Sequence, residues 1–196
     1  MNKLIIILLP LPATYDKKQM EEIIKIQYYH SPCGELILGS YDHHLCLCDW
    51  RYRKARLAID ARLQKGLKAQ YKEEKSPVTD KAISQLNEYF DKKRTSFDLP
   101  LLFVGSDFQK KVWETLLQIP YGKLETYKGL SNRLYNPKAV RAVAAANGAN
   151  SISLIVPCHR VIGSNKQLVG YAGGIQAKTK LLQLEGTFLD GQLRIF

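Results

Sequence analysis

The sequence predicts an α+β fold in which a small N-terminal unit with an antiparallel sheet precedes an all-helical C-terminal domain containing a helix-turn-helix. Three observations predict it. Short strand-like runs separated by turn residues occupy the first part of the chain. Apolar residues then recur at helical spacing, and two short helices in the second half are joined by a tight turn. We expect an N-terminal extension at 1–25, an α+β domain at 26–100 and a helical domain at 101–196.

Three strand-like runs stand in the first part of the chain: Ile24–Tyr29, Glu35–Leu38 and Leu45–Asp49. Turn residues separate them at 31–34 and 41–44, which predicts an antiparallel hairpin or meander. A basic, periodic stretch at 53–72 is predicted to be partly helical. Residues 72–77 are predicted to be an exposed connector.

Apolar periodicity and capping residues define the longer helices. Apolar side chains at helical spacing predict a helix over 78–92. Ser106 and Gln109 form a capping box, which predicts that the next helix begins directly after Ser106. A last helix is predicted over 175–185, and Gly186 ends it.

Two shorter helices are predicted at 126–134 and 137–147. Thr126 is expected to cap the first. Asn136-Pro137 is expected to cap the second and to open it with a proline at its first position, and Gly148 closes it. Two consecutive short helices joined by a tight turn have the proportions of a helix-turn-helix.

The helix at 137–147 carries almost only small side chains and one long cation, Arg141. A helix that reads base edges usually carries Arg, Gln and Asn. An alanine-rich face instead lets the backbone come close to sugars and phosphates, and Arg141 is then the one residue able to reach into a base stack. The alternative is a core helix packed closely on its neighbours.

Composition and charge narrow the class of partner. The chain has 196 residues, a hydrophobic content of 45% and a formal net charge of +11. The hydrophobic content is that of a globular protein rather than a disordered one. The charge favours a polyanionic partner, with nucleic acid first and an anionic membrane surface second. Charge alone leaves both open.

Cysteine usage and the N-terminus indicate the compartment. Four cysteines are too few for a disulfide framework and indicate a reduced, cytoplasmic protein. The apolar run that ends at Pro10 imitates a signal peptide, but it is short and no clear cleavage site follows. No run approaches the ~20 apolar residues of a membrane span.

The stretch Pro157-Cys158-His159-Arg160 is the strongest chemical signal in the chain. Proline fixes its own φ and favours an extended residue before it, so Cys158 is presented at a defined place. A thiol reacts as thiolate, and at a reference pKa of about 8.5 little is ionised at neutral pH. His159 offers a base and Arg160 a positive charge. Because adjacent side chains diverge, we expect a relay through one water, with a carboxylate behind the histidine. The alternative is a buried, inert cysteine.

Several motifs in this order and spacing resemble the O6-alkylguanine-DNA alkyltransferases, also called methylated-DNA–protein-cysteine methyltransferases. The resemblance runs from about residue 26 to 186 and is strongest over 108–185. The motifs that carry it are Val112-Trp113, Ile119-Pro120-Tyr121-Gly122, Thr126-Tyr127, Asn136–Val143, Asn147–Asn150, Pro157–Ile162, Gly170–Gly174 and Glu185.

The resemblance implies direct-reversal DNA repair, in which an alkyl group moves irreversibly from O6-alkylguanine to Cys158 and each molecule acts once. It implies that Glu185 orients His159, which deprotonates Cys158 through a bridging water. Asn150 would brace the turn beneath the nucleophile. Tyr127 would donate a hydrogen bond to a ring nitrogen, so that guanine leaves as a neutral base. Activity on O4-alkylthymine stays open.

The resemblance also implies the residues that meet the DNA and the base. Arg141 would fill the gap left by the flipped base. The residues expected at the DNA are Thr126, Tyr127, Arg141, Ala142, Ala144, Ala145, Gly148 and Ser164. Carbonyls of Cys158 and Val161 would select guanine, and the pocket residues expected around the base are Asn147, Val161, Tyr171 and Ala172. Ala172 stands where some members have serine, so only its backbone can serve the oxygen there.

The implied partner is duplex DNA carrying alkylated guanine, with no membrane, no cofactor and a monomeric protein. A zinc site occurs in some members, and Cys33, His43, His44, Cys46 and Cys48 suggest one. Alternate strand positions put Cys46 and Cys48 on one face without the spacing of a tetrahedral site, so no metal is predicted.

Two other functional classes compete with this interpretation. Related non-enzymatic proteins lack the cysteine and only bind lesions, so the first alternative is a lesion-sensing or helix-turn-helix DNA-binding protein with an inert Cys158. The second is a cysteine hydrolase built on Cys158 and His159, which would turn over acyl substrates.

Overall fold

The computed structural model describes residues 22–165, 167–189 and 192–193. The extension predicted at 1–25 therefore lies almost wholly outside the described residues. The described part is an α+β structure with a four-stranded sheet in the N-terminal half and a helical C-terminal half, so the predicted fold class is confirmed. None of the described helices is both long and apolar enough to cross a membrane.

The N-terminal sheet is a meander with one added strand. Its strands are β1 (Ile23–Ser31), β2 (Gly34–Tyr41), β3 (His44–Trp50) and β4 (Gln70–Glu73), in the spatial order β3-β2-β1-β4. The antiparallel pairing of β1, β2 and β3 confirms the predicted meander. The parallel edge strand β4 was not predicted and overlaps the expected connector. Its side chains are mostly exposed, so it lacks the alternation that marks a half-buried strand.

A bulge in β3 separates the two cysteines of this strand. Gly39 pairs with Leu47 and Ser40 pairs with Leu45, which leaves Cys46 as the extra residue. Cys46 consequently faces one core and Cys48 the other. The expectation that both share a face is therefore wrong, because an inserted residue reverses the side-chain alternation of a strand.

Helices cover both faces of the sheet. The helix α1 (Arg56–Leu67) packs on one face, where Ile59 and Leu63 meet Ile24 and Leu47. The helix α2 (Pro77–Phe90) packs on the other and begins at a capping box of Ser76. The larger core lies on this second face and continues into the C-terminal half, so the two halves share it.

The C-terminal helices are α3 (Asp107–Leu117), α4 (Tyr127–Arg133), α5 (Val140–Gly148) and α6 (Gly174–Leu184). The predicted caps at Ser106 and Thr126 are confirmed. The predicted start of α5 at Asn136-Pro137 is wrong. The Asn136 carbonyl accepts a hydrogen bond from the Ala139 amide at 2.9 Å, so these residues form a separate turn before the helix.

Short strand pairs interrupt the helical half. The first joins β5 (Glu125–Thr126) in parallel to β6 (Val161–Ile162), and the second is β7 (Phe188–Leu189) with β8 (Gln192–Leu193). Because β5 runs directly into Tyr127 and β6 directly follows Arg160, the first pair fixes the start of α4 beside the cysteine segment.

Candidate active site

Cys158 lies at the start of a single buried turn of 3₁₀ helix, Cys158–Arg160. The Arg160 amide donates to the Pro157 carbonyl at 3.0 Å and so closes this turn. Asn150 supports it from below, since its side-chain amide donates to the Val156 carbonyl at 3.0 Å and its side-chain oxygen accepts from the Ile152 amide at 2.9 Å. The family resemblance implies a bracing role for Asn150, and these contacts place its side chain against the segment that leads into Cys158.

Glu185 is the centre of the buried polar network behind Cys158. His159 Nε2 lies 2.8 Å from Glu185 Oε1. Arg160 donates through Nε to Oε2 and through Nη2 to Oε1, both at 2.9 Å. The Tyr89 hydroxyl donates to Oε1 at 2.8 Å and the Gly122 amide donates to Oε2 at 3.3 Å. Burial alone raises the pKa of this carboxyl, but His159 and Arg160 outweigh it and hold the pKa of Glu185 far below its usual range.

The network includes Tyr89, which was not predicted from the sequence as a residue of the site. Tyr89 belongs to α2 in the N-terminal half and is fully buried. The spacing of apolar residues in α2 identified it only as a core position, and no local motif marks its hydroxyl as a partner of Glu185, 96 residues away along the chain. Glu185 itself lies just after α6, as its C-cap, rather than within the helix.

Burial governs the proton affinities of the nucleophile and the base. Burial raises the pKa of the Cys158 thiol, although the Asn150 side chain opposes this in part. Burial also lowers the pKa of His159, against the pull of Glu185. Both groups are therefore neutral at neutral pH. Among the described residues, none gives His159 Nδ1 a hydrogen bond. With Nε2 directed at Glu185, Nδ1 is the nitrogen left to accept a proton.

A cavity of about 820 Å³ opens onto Cys158. Six of the residues predicted around the base and the DNA line it: Tyr127, Ala144, Asn147, Gly148, Tyr171 and Ala172. Val161, also predicted, is fully buried outside the lining, and its carbonyl accepts a hydrogen bond from Lys178 Nζ at 2.6 Å. Burial raises the pKa of Tyr127 and of Tyr171, so both hydroxyls keep their protons.

The N-terminal half supplies the opposite wall of this cavity, which sequence reasoning did not predict. Trp50 and Arg53 are among its lining residues. The Trp50 ring meets Tyr171 edge-on, with ring centres 5.7 Å apart. A Cβ at Gly173 would lie 2.4 Å from Trp50 Cε2, so only glycine fits beside the indole. Trp50 thereby supports the loop that carries Tyr171 and Ala172.

The outer face of α5 has the composition expected of a surface that approaches DNA closely. Arg141, Ala142, Ala145 and Gly148 are exposed, and Ala144 is half-buried and lines the cavity. Of the remaining predicted DNA contacts, Thr126 caps α4 and pairs with Ile162 of β6, and Ser164 is exposed just after β6. A small-residue helix face and the thiol thus border the same cavity.

The described residues contain no group of three or more His, Cys, Asp or Glu side chains placed to hold a metal ion. Cys33, Cys46, Cys48 and Cys158 are free thiols. Burial raises the pKa of Cys46 to about 12, so this thiol stays protonated within the core.

Comparison with known proteins yields matches over both halves of the chain. The family model described as 6-O-methylguanine DNA methyltransferase, DNA binding domain, matches residues 107–187. The ribonuclease-like domain of the same family matches residues 24–103. A methylated-DNA–protein-cysteine methyltransferase of Methanosarcina barkeri is 43% identical over 155 residues, which cover 79% of this chain and 92% of the relative. One of Mycobacterium tuberculosis is 48% identical over 115 residues, covering 59% and 70%.

Solved structures agree with these matches. The crystal structure of Mycobacterium tuberculosis OGT in complex with DNA superimposes with a TM-score of 0.71 at 37% identity, covering 83% of this chain and 92% of that one. Both halves of this chain and most of the length of these relatives are thus matched. The chain belongs to the 6-O-methylguanine DNA methyltransferase family.

Proposed function

We propose that this protein repairs O6-alkylated guanine in DNA by moving the alkyl group to the sulfur of Cys158. The observation that carries the proposal is the cavity onto which Cys158 opens, because the same cavity is lined by α5, by Tyr127 and by the loop at 170–174. A thiol, a hydrogen-bond donor and a DNA-facing helix therefore meet at one place. The test is transfer of a labelled methyl group from duplex DNA to Cys158.

The base enters the cavity by flipping out of the duplex. The exposed small residues of α5 allow its backbone to approach the DNA, and Arg141 is the long side chain on that face. We assign it the task of filling the space that the flipped base leaves. This offsets part of the few kcal/mol that unstacking costs.

Transfer is an in-line displacement at the alkyl carbon. Neutral His159 takes the thiol proton of Cys158 at Nδ1 through one water, while Glu185 holds Nε2. The sulfur forms a bond to the carbon, and the bond from carbon to guanine O6 breaks with its electrons going to the base. Tyr127 donates a hydrogen bond to a ring nitrogen where negative charge develops. The proton that His159 took from Cys158 passes to that nitrogen through solvent, so neutral guanine leaves and His159 is neutral again. The product thioether is not reversed by thiol exchange, so each molecule acts once.

We propose that residues 26–100 and residues 101–196 form two domains with different roles in the reaction. The second range supplies the nucleophile, the relay and the DNA-facing helix. The first supplies the cavity wall at Trp50 and the Tyr89 hydroxyl on Glu185. We also place the protein in the cytoplasm, since its reactive thiol and three further free cysteines require reducing surroundings.

Replacing Arg141 with alanine should slow repair of duplex DNA far more than reaction with free O6-benzylguanine. Arg141 is exposed on α5, away from the buried network behind Cys158, and only the duplex needs a side chain to hold the base out. Single-turnover rates on the two substrates give the ratio. Equal losses on both would mean that Arg141 serves the fold instead.

Replacing Tyr127 with phenylalanine should slow transfer at every pH between about 6 and 9.5, a range that brackets the reference thiol pKa. The change removes help to the leaving group and leaves the nucleophile untouched. Ionising Cys158 with base therefore cannot compensate. Single-turnover rates across this range test it, and recovery of the rate at high pH would contradict the role given to Tyr127.

A further inference from the structure

The C-terminal end of α5 is held by arginines from the N-terminal half. Arg53 donates through Nη2 to the Gly148 carbonyl and through Nη1 to the Asn150 carbonyl, the latter at 2.9 Å. Arg62 of α1 donates through Nη2 to the Ala149 carbonyl at 2.7 Å. These carbonyls stand where the helix ladder runs out of partners and where the helix dipole is negative, so cations are favoured there.

The guanidinium of Arg53 is itself fixed in place. Its Nη1 donates to both oxygens of Asp49, at 3.0 and 2.8 Å. Asp49 is completely buried and also accepts from Arg56 Nη1 at 3.0 Å and from the Ser153 hydroxyl at 3.2 Å. One planar side chain therefore links a buried carboxylate of β3 to two carbonyls beyond it. A lysine ammonium, a single point charge on a flexible stem, cannot span these three groups.

A second anchor supports the same end of the helix. The Arg62 guanidinium lies 5.2 Å from the centre of the Trp113 ring. Trp113 in turn donates through Nε1 to the Ala146 carbonyl at 2.8 Å. Side chains of α1 and of α3 thus both donate hydrogen bonds to the C-terminal end of α5. Trp113 itself is almost fully buried.

Among the residues that the structure describes, none caps the opposite end of α5 with a side chain. Its N-cap, Ala139, provides no side-chain hydrogen bond, and Arg141 is exposed in the first turn. The anchored end leads directly into Asn150, whose side chain braces the turn that presents Cys158. The arginine contacts therefore lie between the helix that meets the DNA and the sulfur that accepts the alkyl group.

We propose that Arg53 is a positioning residue that holds α5 in a fixed relation to Cys158, so that a base flipped by the helix arrives at the sulfur. The inference rests on the function proposed above. It assigns to the N-terminal half a direct part in repair of duplex DNA, because Arg53 joins Asp49 of that half to the carbonyls of Gly148 and Asn150.

The test compares single-turnover methyl transfer from O6-methylguanine in duplex DNA and from the free base O6-methylguanine. Arg53→Lys keeps the positive charge but loses the bridge. Its duplex rate is expected to fall about ten-fold or more, as befits a lost charge-assisted hydrogen bond. Its free-base rate is expected to fall by a clearly smaller factor, because the free base reaches Cys158 without being carried there by α5. Thermal unfolding is measured alongside, because Asp49 loses a buried partner.

Two further variants separate positioning from stability. Arg56→Lys perturbs the same Asp49 but no carbonyl of α5, so it should lose stability and keep the wild-type ratio of the two rates. Arg62→Met leaves the hydrogen bonds of Asp49 in place and removes a contact to the end of α5, so it should lower the ratio of duplex to free-base rate; an unchanged ratio would count against the inference. If Arg53→Lys does not fold, Arg62→Met tests the proposal in its place.

Three results would overturn the inference. They are an unchanged duplex rate in Arg53→Lys, equal losses on both substrates, and a ratio in Arg56→Lys as low as in Arg53→Lys. Absence of any transfer by the wild-type protein would instead contradict the proposed function, so the two failures are distinguishable.

Discussion

Replacing Cys158 with alanine is expected to abolish alkyl transfer while leaving affinity for duplex DNA nearly unchanged. The sulfur itself accepts the group, so no other residue can complete the reaction. The substitution removes one buried atom from the floor of the cavity and leaves the exposed face of α5 intact. Labelled methyl transfer from duplex DNA and a DNA-binding titration measure the two properties on the same preparation.

The other thiols provide the controls for this result. Cys46 and Cys48 are buried in the cores, and burial raises the pKa of both. Cys33 is half-buried and lines the outer cavity, and burial raises its pKa as well. Replacing each of these with alanine should leave the rate of transfer unchanged. Residual transfer in Cys158→Ala that maps to any of them would refute the assignment of the acceptor.

Replacing His159 with alanine is expected to slow transfer at neutral pH by roughly 10²–10⁴-fold, the usual contribution of a general base. Raising the pH should restore part of the rate. The sign follows from burial, which raises the pKa of Cys158 and leaves the thiol protonated at neutral pH. As the pH rises toward that pKa, the thiolate fraction grows without any base. Single-turnover rates from about pH 6 to 9.5 test this, since they bracket the reference thiol pKa.

Glu185→Gln is a milder change that tests the same proton relay. It leaves the imidazole of His159 present but poorly oriented and less basic, so its defect should be smaller and of the same pH dependence. A flat rate profile for His159→Ala would contradict the relay, because the missing base would then not be the limiting factor.

The parts of the site that lie close together in sequence were predictable. Roles could be assigned to the proline before Cys158, to the histidine after it and to the single arginine of a small-residue helix. Each assignment needs only the chemistry of neighbouring residues. The resemblance of several motifs added Tyr127 and Glu185, and the structure brings Tyr127 to the cavity and Glu185 to His159. Capping boxes and apolar spacing placed most helices for the same local reason.

The parts that depend on contacts across the fold were not predictable. Tyr89 reaches Glu185, and Arg53 reaches the end of α5, only because the two halves share a core. The polar edge strand β4 is defined by its partner rather than by its own side chains. The bulge at Cys46 reverses the faces of β3 without any local signal. Each of these features is set by tertiary packing.

Transfer to Cys158 can be read from the intact mass of the protein after incubation with duplex DNA containing one O6-methylguanine. We expect stoichiometric gain of a single methyl group, carried on the peptide that contains Cys158, together with unmodified guanine in the DNA. An unchanged protein mass with the lesion still bound would show a lesion-sensing protein instead. Repeated turnover without any change in mass would equally contradict transfer to Cys158.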